Sequence, residues 1–224
     1  HRLAARDRHV FSALMLQHGH GDGLVTGATR KSAHVLSLIN HVFDATAADG
    51  AVGVTALLHK GRIVLISVAP VSEWPEPEDL ATIAIRSAGV ARSLGLEPRV
   101  AFVSFSTFGY PVSERATKMH RAPQVLDSMG VDFEYEGEMT VDVALNAEVM
   151  KHYPFCRLTG PANILVVPAR HSASISVKLM QEMAGATVIG PILTGVKKPI
   201  QICSTNSTVN DILNMAVMAA CKVG

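Results

Sequence analysis

Two runs, Gly53 to Leu58 and Ile63 to Val68, are apolar at odd and even positions alike and are separated only by His59-Lys60-Gly61-Arg62. A strand points successive side chains to opposite faces, so such runs need cover on both sides. They read as a β-hairpin inside a larger sheet. Arg99 to Phe105 and Ala162 to Pro168 are further buried strands of the same kind. Between them lie segments with helical spacing. Pro75-Glu76-Pro77-Glu78-Asp79 places acids in a first turn, Leu80, Ile83, Ala84, Ala88 and Ala91 follow as a core stripe, and Gly95 stops the helix. This helix is expected to be the hinge between two halves. Helices are also predicted from Val112 to Met129 with Gly130 as C-cap, near Val141 to Met150, and from Ala173 to Met183 before Gly185. The recurrent order of strand, loop and helix predicts an α/β sandwich with a mostly parallel sheet.

The front of the chain fits a helix from Arg2 to Leu16, a short strand Leu24 to Thr26, and a turn Gly27-Ala28-Thr29-Arg30 into a helix from Ser32 to Phe43. His18, His20 and Asp22 sit at a helix end where side chains diverge, and no second cluster completes a shell, so no metal site is predicted. Val131 to Tyr135 is a strand candidate leading into Glu136-Gly137-Glu138-Met139.

Of the residues, 48% are hydrophobic and 17% charged, enough to bury a substantial core and incompatible with disorder. Twenty basic residues oppose 19 acidic ones without long runs of either sign, which argues against nucleic acid and membrane surfaces as partners. The three cysteines, Cys156, Cys203 and Cys221, are widely spaced and predict reduced thiols in a cytoplasmic protein. The chain opens on His1 rather than Met, which predicts that it belongs to something longer.

The last third is organised around Gly190 to Asp211. Gly195 and Pro199 bracket a turn, Ile200 to Cys203 is extended, and Ser204-Thr205-Asn206-Ser207 stands where a helix begins. Thr208 and Asp211 have capping-box spacing, and Ile212, Met215, Ala216 and Ala219 form the buried stripe behind them. Free N–H groups at a helix start favour an anionic guest, although a well-capped helix alone would also explain the pattern.

This stretch resembles the C-terminal end of the phosphate acetyltransferase and butyryltransferase family, in which Gly-Pro, Gly and Pro lead to Ser-Arg-Gly and an Asp. Gly190, Pro191, Gly195, Pro199, Ser204 and Asp211 match in spacing. Ser104 to Gly109 resembles the family's Ser-Phe-Ser-Thr-x-Gly, Glu136 to Met139 its Asp-Gly-Glu-Leu, and Ala173 to Lys178 its Gly-Asn-Ile-x-Tyr-Lys. The match covers most of the chain, with about a third of a full-length family domain absent at the front.

The resemblance implies a two-lobed, three-layer α/β/α sandwich with a mostly parallel sheet, similar to isocitrate and isopropylmalate dehydrogenases. Residues 1–91 and 199–224 are expected to form one lobe and 92–198 the other. It implies a cleft holding acetyl-CoA or CoA through Ser106, Thr107, Gly109, Lys178, Gly190, Pro191, Ser204, Thr205, Asn206 and Ser207, with the 204–207 and 106–109 loops facing each other. In the family, arginines neutralise phosphate and an Asp is proposed to act on the thiol. Ser204 and Asp211 would be the catalytic pair in an active enzyme, but Ser37 and Thr205 stand where the arginines would be. Each charged hydrogen bond lost costs on the order of 1.5–3 kcal/mol, and each aimed transition-state donor ~10² to 10³ in rate.

The resemblance is closest to the degenerate C-terminal part of large NADP-dependent malic enzymes. It implies an acetyl-CoA-binding inhibitory domain, with NADP and a divalent metal confined to the malic-enzyme catalytic part and none needed here. A homo-oligomer is expected as well. Two alternatives stay open: an active phosphate acyltransferase, and a purely structural dimerisation domain.

Overall fold

The computed structural model describes residues 6–43, 51–68 and 75–221. Eight helices and eight strands alternate among them: α1 (Arg8–Gln17), β1 (Leu24–Gly27), α2 (Ser32–Val42), β2 (Val52–His59), β3 (Arg62–Val68), α3 (Pro77–Ser93), β4 (Arg99–Val103), α4 (Glu114–Met129), β5 (Glu134–Met139), α5 (Val141–Leu145), α6 (Ala147–Met150), β6 (Ile164–Val166), α7 (Arg170–Ala184), β7 (Thr187–Thr194), β8 (Ile200–Cys203) and α8 (Val209–Ala220).

Six strands form one sheet in the order β5-β4-β6-β3-β2-β7. Pairing is parallel from β5 through β3, while β2 runs antiparallel to both β3 and β7. The double-sided apolar runs have the expected cause. Val100 and Phe102 of β4, with Ile164 and Val166 of β6, face a core built with α3 and α4. Ala101, Val103, Leu165 and Val167 face the opposite core with α5 and α7. Covered on both faces, each strand needs apolar side chains at every position.

The remaining strands, β1 and β8, pair in parallel as a separate two-stranded sheet. A third core holds them against α1 and α2 through Val10, Ala13, Val35, Leu36, Ile39, Ile200 and Ile202. Asp7 caps α1 by accepting N–H bonds from His9 and Val10, so this helix starts at Arg8 rather than Arg2; residues 1–5 lie outside the described part.

Several sequence expectations need correction. The helix expected as a hinge, α3, is a core element: Leu80, Ile83, Ala84, Ser87, Ala88 and Ala91 are all buried. The hairpin β2–β3, placed with the first lobe by the expected boundary at residue 91, shares its sheet with β4, β5, β6 and β7, because β3 pairs with β6 and β2 with β7. Gly190 and Pro191, expected before a turn, lie inside β7 where the pairing with β2 shifts register between Val54 and Ala56. Gly190 has φ +134, and an added Cβ would lie 2.9 Å from the Val54 carbonyl oxygen, so only glycine fits this crossing. The Glu136 to Met139 motif lies within β5 rather than after it, its two acids buried, Glu136 against Arg157 and Glu138 against the partners described below. The helix near 141–150 is two short ones meeting at Asn146, which caps the second through the Glu148 N–H.

Candidate functional site

Glu138 is fully buried at the end of β5. A buried carboxylate is tolerated only where donors surround it. Here its Oε1 accepts from Ser106 Oγ at 2.7 Å and the Gly109 N–H at 2.9 Å, while Oε2 lies 2.9 Å from His120 Nδ1. The Phe108 N–H donates to the Glu138 carbonyl at 2.7 Å, and Thr107 Oγ1 accepts from the Thr140 N–H at 3.1 Å. The loop that leaves β4 is thus held by one carboxylate and its own backbone. Ser106, Thr107 and Gly109 are the residues that fix it in place.

Because β1 and β8 are parallel, their carboxyl ends coincide, with Gly27 opposite Cys203. A Cβ at Gly27 would fall 2.2 Å from the Cys203 oxygen, and its φ is +106. Ala28 then donates its N–H to that same oxygen at 3.0 Å. The Gly27-to-Arg30 turn therefore lies directly beside the Ser204-to-Ser207 loop. In that loop Ser204 Oγ donates to Asn206 Oδ1 at 2.9 Å and lies 3.2 Å from Ser207 Oγ. Thr205 and Asn206 are exposed. Asp211 Oδ2 accepts from the Thr208 N–H at 2.7 Å and its hydroxyl at 2.9 Å, and the Asp211 N–H returns a bond to Thr208 at 3.2 Å. Asp211 is a helix cap in this geometry.

Lys178, Gly190 and Pro191 come together in a cavity of about 320 Å³ between the two sheets. Its walls are the first turn of α2 (Ser32, Ala33), the face of α7 carrying Arg170, Ser174 and Lys178, the β7 crossing, and Ile202 of β8. The α2 N-cap, Lys31, makes no side-chain cap bond, so the start of that helix offers N–H groups next to Ser32. Sequence patterns did not pick out Ser32 or Arg170; their place at the first turns of helices following β1 and β6 was the available signal.

A second cavity, about 780 Å³, lies beyond the carboxyl ends of β4 and β6. These neighbours are parallel, yet α4 follows β4 onto one face of the sheet and α7 follows β6 onto the other. Where successive helices diverge in this way, an open α/β sheet leaves a crevice. Phe105, Lys118, His171 and Ser172 are among its walls.

Among the described residues no group of three His, Cys, Asp or Glu could hold a metal ion. Cys156, Cys203 and Cys221 are free thiols. Burial pushes the Cys203 thiol up, and the charge of Asp211 adds to it.

Comparison with known proteins follows the same lines. The family described as Phosphate acetyl/butaryl transferase matches residues 1–220. The NADP-dependent malic enzyme of Rhizobium meliloti is 48% identical over 223 residues, covering 100% of this chain and 29% of that protein. The phosphate acetyltransferase of Thermoanaerobacterium thermosaccharolyticum is 32% identical over 226 residues, covering 96% of this chain and 68% of that protein. The crystal structure of a phosphotransacetylase from Streptococcus pyogenes superposes with a TM-score of 0.88 at 25% identity, over 97% of this chain and 68% of that one.

Proposed function

Since the chain belongs to the phosphate acetyl/butaryl transferase family, we propose that it is an acetyl-CoA-binding or CoA-binding regulatory domain whose transfer chemistry has been lost, fused to an NADP-dependent malic enzyme that it inhibits when occupied. The observation that carries this reading is the substitution of cations around an intact cleft. Ser37 on α2 and Thr205 beside Ser204 stand where the family resemblance calls for arginine. The polar loop, the Gly190 crossing and Lys178 remain. Without those two guanidinium groups, phosphate loses the partners the family resemblance calls for, with Arg170 and Lys178 left on the cavity wall, whereas a thioester ligand needs only hydrogen bonds and an apolar channel. Asp211, engaged by its own cap, adds no proton acceptor on this reading.

The fusion rests on the malic-enzyme relatives, of which this chain spans less than a third. NADP and the divalent metal belong to that other part of the parent protein. The proposed setting is cytoplasmic and the proposed assembly a homo-oligomer. Exposed stripes on α7 (Ile175, Leu179, Met183) and α8 (Val209, Leu213, Val217) support association. We also propose two lobes, centred on the two sheets, with the ligand between them.

Calorimetry with acetyl-CoA and an acetyl phosphate formation assay test the reading together. Binding without turnover is expected, and turnover at family-like rates would overturn it. One observation favours that second reading, an active transferase: Arg30 belongs to the turn that packs beside Ser204, so a cation is still available there.

A further inference from the structure

A strand at the rim of a sheet leaves N–H and C=O groups unpaired, and proteins guard such rims with charges, proline, bulges or cover. Both rims of the large sheet are guarded. β5 carries Glu134, Glu136 and Glu138, and β7 carries Pro191 near its register shift, with the Leu193 backbone taken by Gln201. In the small sheet β8 is buried at all four positions. β1 has none of these devices. Leu24-Val25-Thr26-Gly27 holds no charge and no proline, its register with β8 runs without a shift, and all four residues are half-exposed. Among the described residues no strand pairs with its other side.

The direction of the free groups follows from the bonds that are made. The Leu24 N–H donates to the Pro199 carbonyl at 2.9 Å, and the Ala28 N–H to the Cys203 carbonyl at 3.0 Å. Backbone groups alternate sides along a strand, so Leu24, Thr26 and Ala28 face β8, while the N–H groups of Val25 and Gly27 face outward. Val25 is the centre of the open rim. Both faces beside it already have a roof: Leu24, Ile200 and Ile202 pack with α1 and α2 on one, and Val25 and Cys203 with Met215 of α8 on the other. On α1, Phe11, Leu14 and Met15 also line a groove of about 470 Å³ with His18 and His20. That helix has more apolar surface than a two-stranded sheet can cover.

Parallel strands belong to sheets covered on both faces, and a segment entering between these roofs must be apolar on both sides. We propose that β1 accepts a third strand at Val25, an extended, doubly apolar segment supplied by the part of a longer parent protein that lies outside this sequence. Length identifies the occupant. This chain spans 68% of the phosphate acetyltransferase relative and 68% of the superposed phosphotransacetylase, although 96% and 97% of its own length is matched. A further third of chain in a parent of that size has to find a place on this fold, and β1 is the rim left unguarded. A second copy is the weaker candidate, since two four-residue rims offer each other only ~13 Å of ladder. The added strand also bears on the ligand site, because β1 runs straight into the Gly27-to-Arg30 turn beside the Ser204 loop.

Amide hydrogen exchange, measured on the longer native protein and on the 224-residue chain by itself, tests the proposal. The Val25 amide is expected to exchange at least about tenfold more slowly in the longer protein. Equal exchange in the two would overturn the third strand. Val25→Pro removes the outward N–H and keeps the bonds to β8, a change that a free rim tolerates. It should lower the urea midpoint of the longer protein and leave that of the 224-residue chain within error. An equal drop in both would mean that the outward N–H has no partner, and would count against the proposal. Should the variant fail to fold in either form, the exchange comparison on the unsubstituted proteins still decides. Val25 protection that appears in the 224-residue chain alone as its concentration rises, with dimers in light scattering, would assign the rim to a second copy and overturn the choice of partner. Acetyl-CoA enters none of these readouts, so their failure leaves the regulatory reading standing.

Discussion

Gln201 supplies Leu193 with the hydrogen bonds that a neighbouring strand would otherwise give. Its side-chain Oε1 accepts the Leu193 N–H at 2.9 Å and its Nε2 donates to the Leu193 carbonyl at 3.1 Å, with Gln201 fully buried. One amide thereby ties β8 of the small sheet to β7 of the large one. Replacing it with leucine leaves a donor and an acceptor unpaired in the interior. Gln201→Leu is expected to lower stability by about 2–4 kcal/mol, read as a shift of the urea midpoint at constant slope. A shift within error of the parent would show that the two sheets do not depend on this link.

Glu138 should behave as an anchor. Glu138→Ala removes the acceptor of Ser106, Gly109 and His120 together. The expected cost is about 3 kcal/mol or more, accompanied by faster exchange of the Gly109 amide. Glu138→Gln keeps one acceptor oxygen and should lose less. Unchanged Gly109 protection in the alanine variant would remove the anchoring role.

Asp211 separates a cap from a catalyst. Asp211→Ala should destabilise α8 by about 1 kcal/mol, and Asp211→Asn by less, with acetyl-CoA affinity nearly intact in both. Replacing Asn206 and Ser207 with bulky apolar residues should weaken that affinity by about 1–3 kcal/mol. Loss of a measurable acetyl-transfer rate in Asp211→Asn would instead mark the pocket as an enzyme's.

His9 is 1% exposed, its Nδ1 lies 2.7 Å from Thr26 Oγ1, and its Nε2 has no partner among the described residues. Burial pushes its pKa down, so the folded chain resists a proton that the unfolded chain accepts below about pH 6.5. Stability from a depressed pKa is present above the unfolded value and lost as pH falls toward the folded one. Stability should therefore decline as pH drops below about 6.5, and His9→Leu should flatten that slope. Parallel pH profiles for the two proteins would show that another group is responsible.

The three thiols should react in order of access. Cys221 is exposed, Cys156 is half-buried and Cys203 is buried. Burial pushes the thiols of both Cys156 and Cys203 up. Alkylation at neutral pH should reach Cys221 first and Cys203 only on unfolding, as read by mass spectrometry of the labelled peptides. Early labelling of Cys203 would mean that β8 opens readily.

Much of the fold was legible because burial on both faces leaves a compositional trace. The strands at 53–58, 63–68, 99–105 and 162–168, and the helices between them, follow from local periodicity and caps such as Thr208 and Gly130. What was not legible depends on pairing across distance. β7 is hidden in the sequence because Gly190-Pro191 interrupts it, and only the close approach to Val54 explains a glycine in that strand. The motif residues divided for a similar reason. Lys178, Gly190 and Pro191 meet in one cavity because α7 packs over β2 and β7, whereas Ser106 and Gly109 turn inward to a carboxylate that lies 29 or more residues away in sequence. Phe105, expected as the end of a buried strand, lies beyond β4 and is exposed, since nothing in a sequence says which aromatic side chain is left uncovered.

The pairing of β1 with β8 joins the first described strand to the last. Such a sheet cannot close while the chain is being extended from its front, because Leu24 has no partner until Ile200 exists. The helices α1 and α2 are then left with an incomplete core, lacking Leu193, Ile200 and Ile202, until that later segment is made. The β3–β6–β4–β5 part of the large sheet pairs before β7 and β8 are reached, whereas the β2–β7 edge and the small sheet both wait for the residues from Thr187 onward and carry the larger loop-closure cost. Truncation before Ile200 should accordingly expose the α1–α2 apolar faces to chaperones and proteases while leaving the β3–β6–β4–β5 region folded.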